Sequence, residues 1–177
     1  MNMREKRWKD TTADAAYQWI QGGDMFINPK YYKTQKTIEA HIKEGNDLLE
    51  QVLGGAERYI ASGRAKPAQI EYLEALMTSG RQCVAQTHDY VESTIVHECG
   101  HMLDDKVFRK VLKSQGVDVR TFLQESMAKY GKRISGYANS SMNEYIAECF
   151  AAYWNGETGI LDPEIVKLFE DAKVWKP

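Results

Sequence analysis

The chain has 177 residues, with 23 Lys and Arg against 25 Asp and Glu, so its formal net charge is −2. This balance argues against a nucleic-acid partner bound through its phosphates, and the length fits a single domain over residues 1–177. The charged N-terminus lacks the apolar stretch of a secretory signal, and no apolar run reaches membrane-spanning length, so we expect a cytoplasmic protein with no membrane partner.

The pattern of apolar residues predicts a mainly α fold, that is, α+β with at most a small sheet. The first predicted helix covers about 4–20, and a loop or short extended segment follows over 25–32. A long helical pattern then runs over 34–62. Three glycines interrupt that pattern, so it predicts either one helix or two. These glycines are Gly45, Gly54 and Gly55.

The middle of the chain carries clear signals for the ends of helices. Pro67 suits the first turn of a helix that Gly80 ends. The segment 82–88 is the best candidate for a short strand, and a helix is predicted to follow over 90–113.

The C-terminal part is predicted to be helical as well. A helix over 118–130 is expected to have Asp118 as its N-terminal cap and to end at Gly131. Another helix is predicted over 142–154, and a last one begins after Asp162 as its cap.

The most informative motif is His97-Glu98-Cys99-Gly100-His101, which matches the pattern H-E-x-x-H. On a helix the two histidines lie about 40° apart around the axis and can present their imidazole nitrogens to one metal ion. Glu98 lies about 100° from His97, where it can take a proton from a water activated by the metal without being a ligand. The motif therefore predicts a catalytic metal site.

The alternative for this motif is a pair of histidines that are buried and hydrogen-bonded, or simply solvated. A helical wheel places His101, Asp104 and Phe108 within about 40° of His97, on the side opposite the apolar stripe, which argues against burial in the core. Gly100 costs about 1 kcal/mol relative to alanine inside a helix, which favours a role in close approach to the backbone.

A catalytic zinc ion usually has three protein ligands and one open position. Glu144 and Glu148 lie four residues apart in an otherwise apolar helical segment, on one helix face. Each could simply face solvent, as most glutamates do. Beside an upstream H-E-x-x-H motif, a role in the metal site is favoured.

These motifs together resemble the catalytic domain of the anthrax lethal factor family of zincin metallopeptidases. They are also similar to Pro-Pro endopeptidases and to zincin domains of phage head-associated proteins. The shared pattern is H-E-x-G-H with a following acidic pair, then a tyrosine seven residues before the glutamate that opens E-x-x-A-E-x-F. The match covers about 90–155, and the part before about residue 80 does not take part in it.

The resemblance implies a role for each matching residue. His97, His101 and Glu144 would bind Zn²⁺, and Glu98 would be the general base. Tyr137 would donate a hydrogen bond to the oxyanion of the tetrahedral intermediate or help to protonate the leaving group.

Three further residues are expected to support this site from outside the ligand set. Glu148 and the pair Asp104-Asp105 suit hydrogen bonding to metal-bound imidazoles. Tyr130 competes with Tyr137 for the role of hydrogen-bond donor, and only the seven-residue spacing to Glu144 selects Tyr137.

The resulting expectation is a zinc-dependent endopeptidase with a helical N-terminal part over about 1–80 and a catalytic part over about 81–177. Its partner would be a peptide or protein substrate. Two other hypotheses stay open: a phage head-associated zincin that associates with capsid proteins and is found in the virion, and an intracellular effector or toxin protease. Mn, Co or Ni could replace zinc, since imidazole and carboxylate ligands suit several ions.

Overall fold

The computed structural model describes residues 15–18, 24–28 and 30–173. Within them the chain is mainly helical, as predicted, with one small antiparallel sheet. The strands are β1 (Ala15–Gln18) and β2 (Asp24–Ile27). The helices are α1 (Gln35–Ala61), α2 (Pro67–Ser79), α3 (Tyr90–Leu103), α4 (Arg109–Ser114), α5 (Val119–Ile134), α6 (Met142–Trp154) and α7 (Pro163–Asp171). Short 3₁₀ turns cover Val84–Thr87, Tyr137–Asn139 and Thr158–Ile160.

The two strands correct one N-terminal prediction. Ala15 pairs with Ile27 and Gln18 with Asp24, so residues 15–18 are extended and the helix predicted over 4–20 is wrong there. Pairing with a neighbouring strand overrides a local helical preference, because it satisfies the backbone hydrogen bonds of both segments. The rest of that predicted helix lies outside the described residues. The extended segment predicted from residue 25 is confirmed over 25–27.

Helix α1 is one helix, so its three internal glycines do not divide it. Thr34 and Thr37 start it with reciprocal bonds, in which each side chain accepts a hydrogen bond from the backbone N–H of the other. Each glycine costs up to about 1 kcal/mol in a helix. Packing of its apolar face against Leu73 and Leu76 of α2 offsets that cost.

The predicted strand over 82–88 is wrong, because this segment forms a 3₁₀ turn over residues 84–87. Its backbone groups bond to side chains instead of to a neighbouring strand. The Gln86 side-chain oxygen accepts from the Gln82 N–H at 2.5 Å, and the Glu148 carboxylate accepts from the Val84 N–H at 2.8 Å. Upstream, the predicted helix from Pro67 is confirmed, and Gly80 ends it at φ 70°.

The helix predicted over 90–113 is present but not uniform. After α3 the chain makes a π-helical turn over Asp104–Phe108 and continues as α4. The extra residue of a π turn changes the helical phase. Phe108, which the wheel places on the histidine face, is instead fully buried against Phe150 and Phe169.

Gly131 does not end α5, which continues to Ile134. A Cβ atom at Gly131 would lie 3.1 Å from the Asn139 side-chain oxygen and 3.4 Å from the Ala138 carbonyl oxygen. This glycine therefore allows the turn over 137–139 to lie close to the helix. The Asp118 cap of α5 is confirmed, since its carboxylate accepts from the Arg120 and Thr121 N–H groups.

Helix α6, whose bounds match the prediction, runs through the centre of the main hydrophobic core and is buried from Tyr145 to Tyr153. It packs most extensively against α3, with α5 and α7 on its other sides. Asp162 caps α7 as predicted. Within the described part of the chain, no helix is both long enough and apolar enough to cross a membrane.

Candidate metal centre

The site forms where α3 and α6 cross, and a glycine sets the distance between them. A Cβ atom at Gly100 would lie 2.8 Å from the Ala147 Cα and 3.2 Å from the Phe150 Cβ. Real Cβ atoms essentially never approach a Cα this closely, so this contact requires glycine. The contact brings the histidines of α3 against the glutamates of α6.

Three side chains of the motifs meet at this crossing. His97 Nε2 lies 3.1 Å from His101 Nε2 and 3.1 Å from Glu144 Oε2, and His101 Nε2 lies 3.5 Å from the same oxygen. The two histidine side chains are 13% and 19% exposed, and that of Glu144 is 29% exposed. The three atoms form a compact triangle that solvent still reaches.

Glu148 lies behind His97 and fixes the orientation of its ring. Its Oε1 is 2.7 Å from His97 Nδ1, while its Oε2 accepts from the Val84 N–H at 2.8 Å and from the Ser135 hydroxyl at 2.6 Å. In the neutral imidazole, a carboxylate at Nδ1 keeps the proton there, so the lone pair of Nε2 is directed into the triangle when Nε2 carries no proton. Glu148 is therefore outside the triangle and supports it, in the position that the sequence predicts.

The charges around the triangle favour a positive charge within it. Burial disfavours the imidazolium form of His97, but the carboxylates of Glu144 and Glu148 outweigh that effect and raise its pKa to about 10. Burial likewise opposes the charge of Glu144, yet its contacts with His101 and His97 hold its pKa well below the usual range. A cation placed here gains from two carboxylates at once.

The spacing of the three atoms fits a tetrahedral metal ion. Zinc binds imidazole nitrogen and carboxylate oxygen at about 2.0–2.2 Å, which separates ligand atoms by about 3.3–3.5 Å in a tetrahedron. The three separations observed here are 3.1, 3.1 and 3.5 Å. One lies in this range, and two are shorter by about 0.2 Å, which is the tolerance of a metal site. Two imidazoles and one carboxylate also form a donor set that leaves a fourth position open, so His97, His101 and Glu144 could together hold a metal ion.

Of the two residues predicted to act on a substrate, Tyr137 lies beside the triangle and Glu98 is the next residue after His97 in the chain. Glu98 lies on α3 and is 6% exposed, and it does not contribute one of the three ligand atoms. Tyr137 is 40% exposed, and its ring centre lies 6.5 Å from that of His97. The N–H of Tyr137 donates to the Gln82 carbonyl at 2.8 Å, which holds its turn in place.

The competing tyrosine has a different environment. Tyr130 lies on α5 and packs against the main core, with the Lys129 ammonium 5.0 Å and the Arg133 guanidinium 5.8 Å from its ring centre. The structure therefore brings Tyr137, rather than Tyr130, into ring contact with a histidine of the triangle.

The acidic pair after the motif has cationic partners of its own, and its hydrogen bonding to a metal-bound imidazole stays a prediction. Asp104 is 6% exposed and accepts from Arg109 Nε at 2.8 Å, and Asp105 pairs with Lys106 at 3.0 Å. Burial raises the pKa of Asp104, and the Arg109 contact partly opposes this rise. A cavity of about 160 Å³ lies here beside the triangle; its lining residues are His101, Asp104, Asp105, Arg109 and Asn143.

Three supporting residues have no signal in the sequence that would identify them. Ser135 is fully buried and donates to Glu148, Val84 donates its backbone N–H to the same carboxylate, and Arg109 reaches Asn143 on α6. Val84 and Arg109 act through contacts 64 and 34 residues apart in the chain, and Ser135 acts across the turn that precedes α6. Only the spacing between these residues in three dimensions identifies them.

Comparisons of the chain with protein-family models, with curated proteins and with solved structures found no match.

Proposed function

We propose that the protein is a zinc-dependent endopeptidase with His97, His101 and Glu144 as its zinc ligands. The observation that carries the proposal is the triangle of their ligand atoms, with separations of 3.1, 3.1 and 3.5 Å. The hydrogen bond from His97 Nδ1 to Glu148 adds the outer contact that zinc-bound histidines usually have. The resemblance of the motifs to the lethal factor family supports the same chemistry.

Each residue of the site has a distinct task in peptide hydrolysis. When bound, zinc supplies Lewis acidity, which polarises a carbonyl group and makes water easier to deprotonate. The Glu98 carboxylate accepts a proton from the attacking water and passes it to the amine that leaves. The Tyr137 phenol donates a hydrogen bond to the carbonyl oxygen as negative charge develops on it.

The side chains at the site are exposed enough for a peptide substrate to reach them. Tyr137 and Glu144 are 40% and 29% exposed, so a polypeptide can reach the triangle from solvent. Glu98 is buried, which keeps its carboxylate out of bulk water. Electrostatic interactions are stronger in a setting of low dielectric constant, so the charges that develop during a proton transfer interact more strongly with fixed groups nearby.

The test measures zinc content of the purified chain together with cleavage of a diverse peptide library, with and without a chelator. We expect about one zinc per chain and cleavage that the chelator abolishes. Zinc well below one per chain would overturn the proposal, because a single proton on His97 would then be enough to hold the triangle together.

Two variants separate metal binding from chemistry. Glu144→Ala should lose zinc, whereas Glu98→Gln should keep zinc and lose turnover by about 10²–10⁴-fold, the usual contribution of a general base. A Glu98→Gln protein that stays fully active would refute the mechanism. Bound zinc with no cleavage of any peptide would instead favour an assembly role for this fold.

A further inference from the structure

The Arg109 side chain connects the two segments that carry metal ligands. Its Nε donates to Asp104 Oδ2 at 2.8 Å, and its Nη2 forms an ion pair with the same oxygen at 2.7 Å. Nη2 also donates to Asn143 Oδ1 at 2.9 Å. Asp104 follows His101 by three residues, and Asn143 directly precedes Glu144. One guanidinium thus links the segment after the H-E-x-x-H helix to the first turn of α6.

The π turn makes this connection possible. In a regular α-helix, residues five apart point about 140° away from each other around the axis. Here the Arg109 N–H donates to the Asp104 carbonyl, which is the five-residue bond of a π turn. That turn brings both side chains to the same side of the helix, facing α6.

We propose that Arg109 is a positioning residue that holds Glu144 at its place in the ligand triangle, an inference that rests on the proposed function. Glu144 lies in the first turn of α6, where a helix is least constrained by its own hydrogen bonds. The Asn143 side chain anchors that turn through Arg109. A ligand atom displaced by about 0.5 Å or more loses productive geometry.

A planar guanidinium suits this task better than an ammonium. It offers several N–H donors in a fixed fork and reaches a carboxylate and an amide oxygen at once. Arg109 also neutralises the Asp104 carboxylate, which is 6% exposed, so its loss would affect stability as well. A variant that cuts only the bond to α6 separates the two effects.

The test measures the zinc Kd of the full chain by competition with a chromophoric chelator. Asn143→Ala removes the link to α6 and leaves the Arg109 pair with Asp104 intact, so it creates no unpaired buried charge. We expect its zinc Kd to rise about 10-fold, as for other outer contacts of metal ligands. Arg109→Ala should raise the Kd at least as much, and adding Asn143→Ala to it should change nothing more, because both break one link.

Lys132→Ala is the matched control, since Lys132 pairs with Glu74 between α5 and α2 at similar exposure, 39% against 37% for Arg109. It should leave the zinc Kd unchanged while lowering the melting temperature of the zinc-free protein. A wild-type Kd in both Asn143→Ala and Arg109→Ala would overturn the inference, as would an equal loss in Lys132→Ala. If the wild-type chain itself binds no zinc, the proposed function fails instead.

Discussion

Replacing Gly100 by alanine tests how closely α3 and α6 must approach for the site to form. The new Cβ would lie 2.8 Å from the Ala147 Cα, while ordinary contacts begin at 3.4 Å. The two helices must therefore move apart by about 0.2 Å to reach 3.0 Å, below which real Cβ atoms essentially never lie, and by about 0.6 Å to reach ordinary contact. Both nearby atoms of Ala147 belong to the backbone and cannot rotate away.

The size of the effect follows from two opposing contributions. Overpacking of a tight contact destabilises by about 1–3 kcal/mol, whereas alanine gains about 1 kcal/mol over glycine inside a helix. The free energy of unfolding should then fall by about 0–2 kcal/mol. Each kcal/mol lost lowers the melting temperature by about 2–4 °C in a chain of this size. Zinc affinity should fall as well, by about 10-fold or more. Glu144 moves with α6, and the distances from a metal ion to its ligands can change by only about 0.2 Å.

Urea unfolding in chelator and a zinc competition titration measure the two effects separately. Gly54→Ala is the control, since Gly54 lies within α1 and nothing is within 4 Å of its Cβ position. It should gain about 0.5–1 kcal/mol and leave zinc affinity unchanged. If Gly100→Ala behaved like Gly54→Ala in both measurements, the close crossing would not control the site.

Three further variants test other contacts. Glu148→Gln should weaken zinc binding by about 10–100-fold in the same titration, because an amide has one acceptor oxygen and its NH₂ group must then face either His97 Nδ1 or the Val84 N–H, donor against donor; unchanged affinity would contradict this role. Tyr137→Phe should keep zinc and lower kcat by about 10²–10³-fold in steady-state assays, and an unchanged kcat would remove it from the mechanism. Burial opposes the charge of Glu157, but Arg81 and His88 outweigh burial and lower the pKa of this carboxyl group. The ionised Glu157 therefore stabilises the fold above its unfolded pKa of about 4.3, and this stabilisation is lost as the pH falls through the lower pKa of the folded state. Glu157→Gln should therefore lose stability at pH 7 and depend less on pH between 7 and 3 in urea unfolding; a wild-type pH dependence would contradict the linkage.

The features that depend on local chemistry are the ones that can be predicted from the sequence. Pro67, Asp118 and Asp162 all lie at helix starts, because a cap or a proline acts on backbone groups within a few residues. The H-E-x-x-H spacing similarly predicts two neighbouring imidazoles from helix geometry alone, and His97 and His101 are neighbours.

The predictions that fail concern segments whose structure depends on distant partners. Residues 15–18 are extended because they pair with β2, and residues 84–87 form a turn whose first N–H bonds to Glu148, far along the chain. The π turn over 104–108 also cannot be predicted by a helical wheel, because the wheel assumes the 100° per residue of a regular α-helix. Its consequence, Phe108 in the core, depends on Phe150 and Phe169 of two other helices.

The position of Glu144 depends on contacts on both sides of it along α6. Toward the N-terminus, Asn143 is bonded to Arg109, and one turn toward the C-terminus Ala147 lies against Gly100. The H-E-x-x-H helix can align two imidazoles by itself, but it cannot set the distance to a carboxylate on another helix. That distance is the part of the site that the fold must supply, and it should be the part most sensitive to substitutions outside the ligand set.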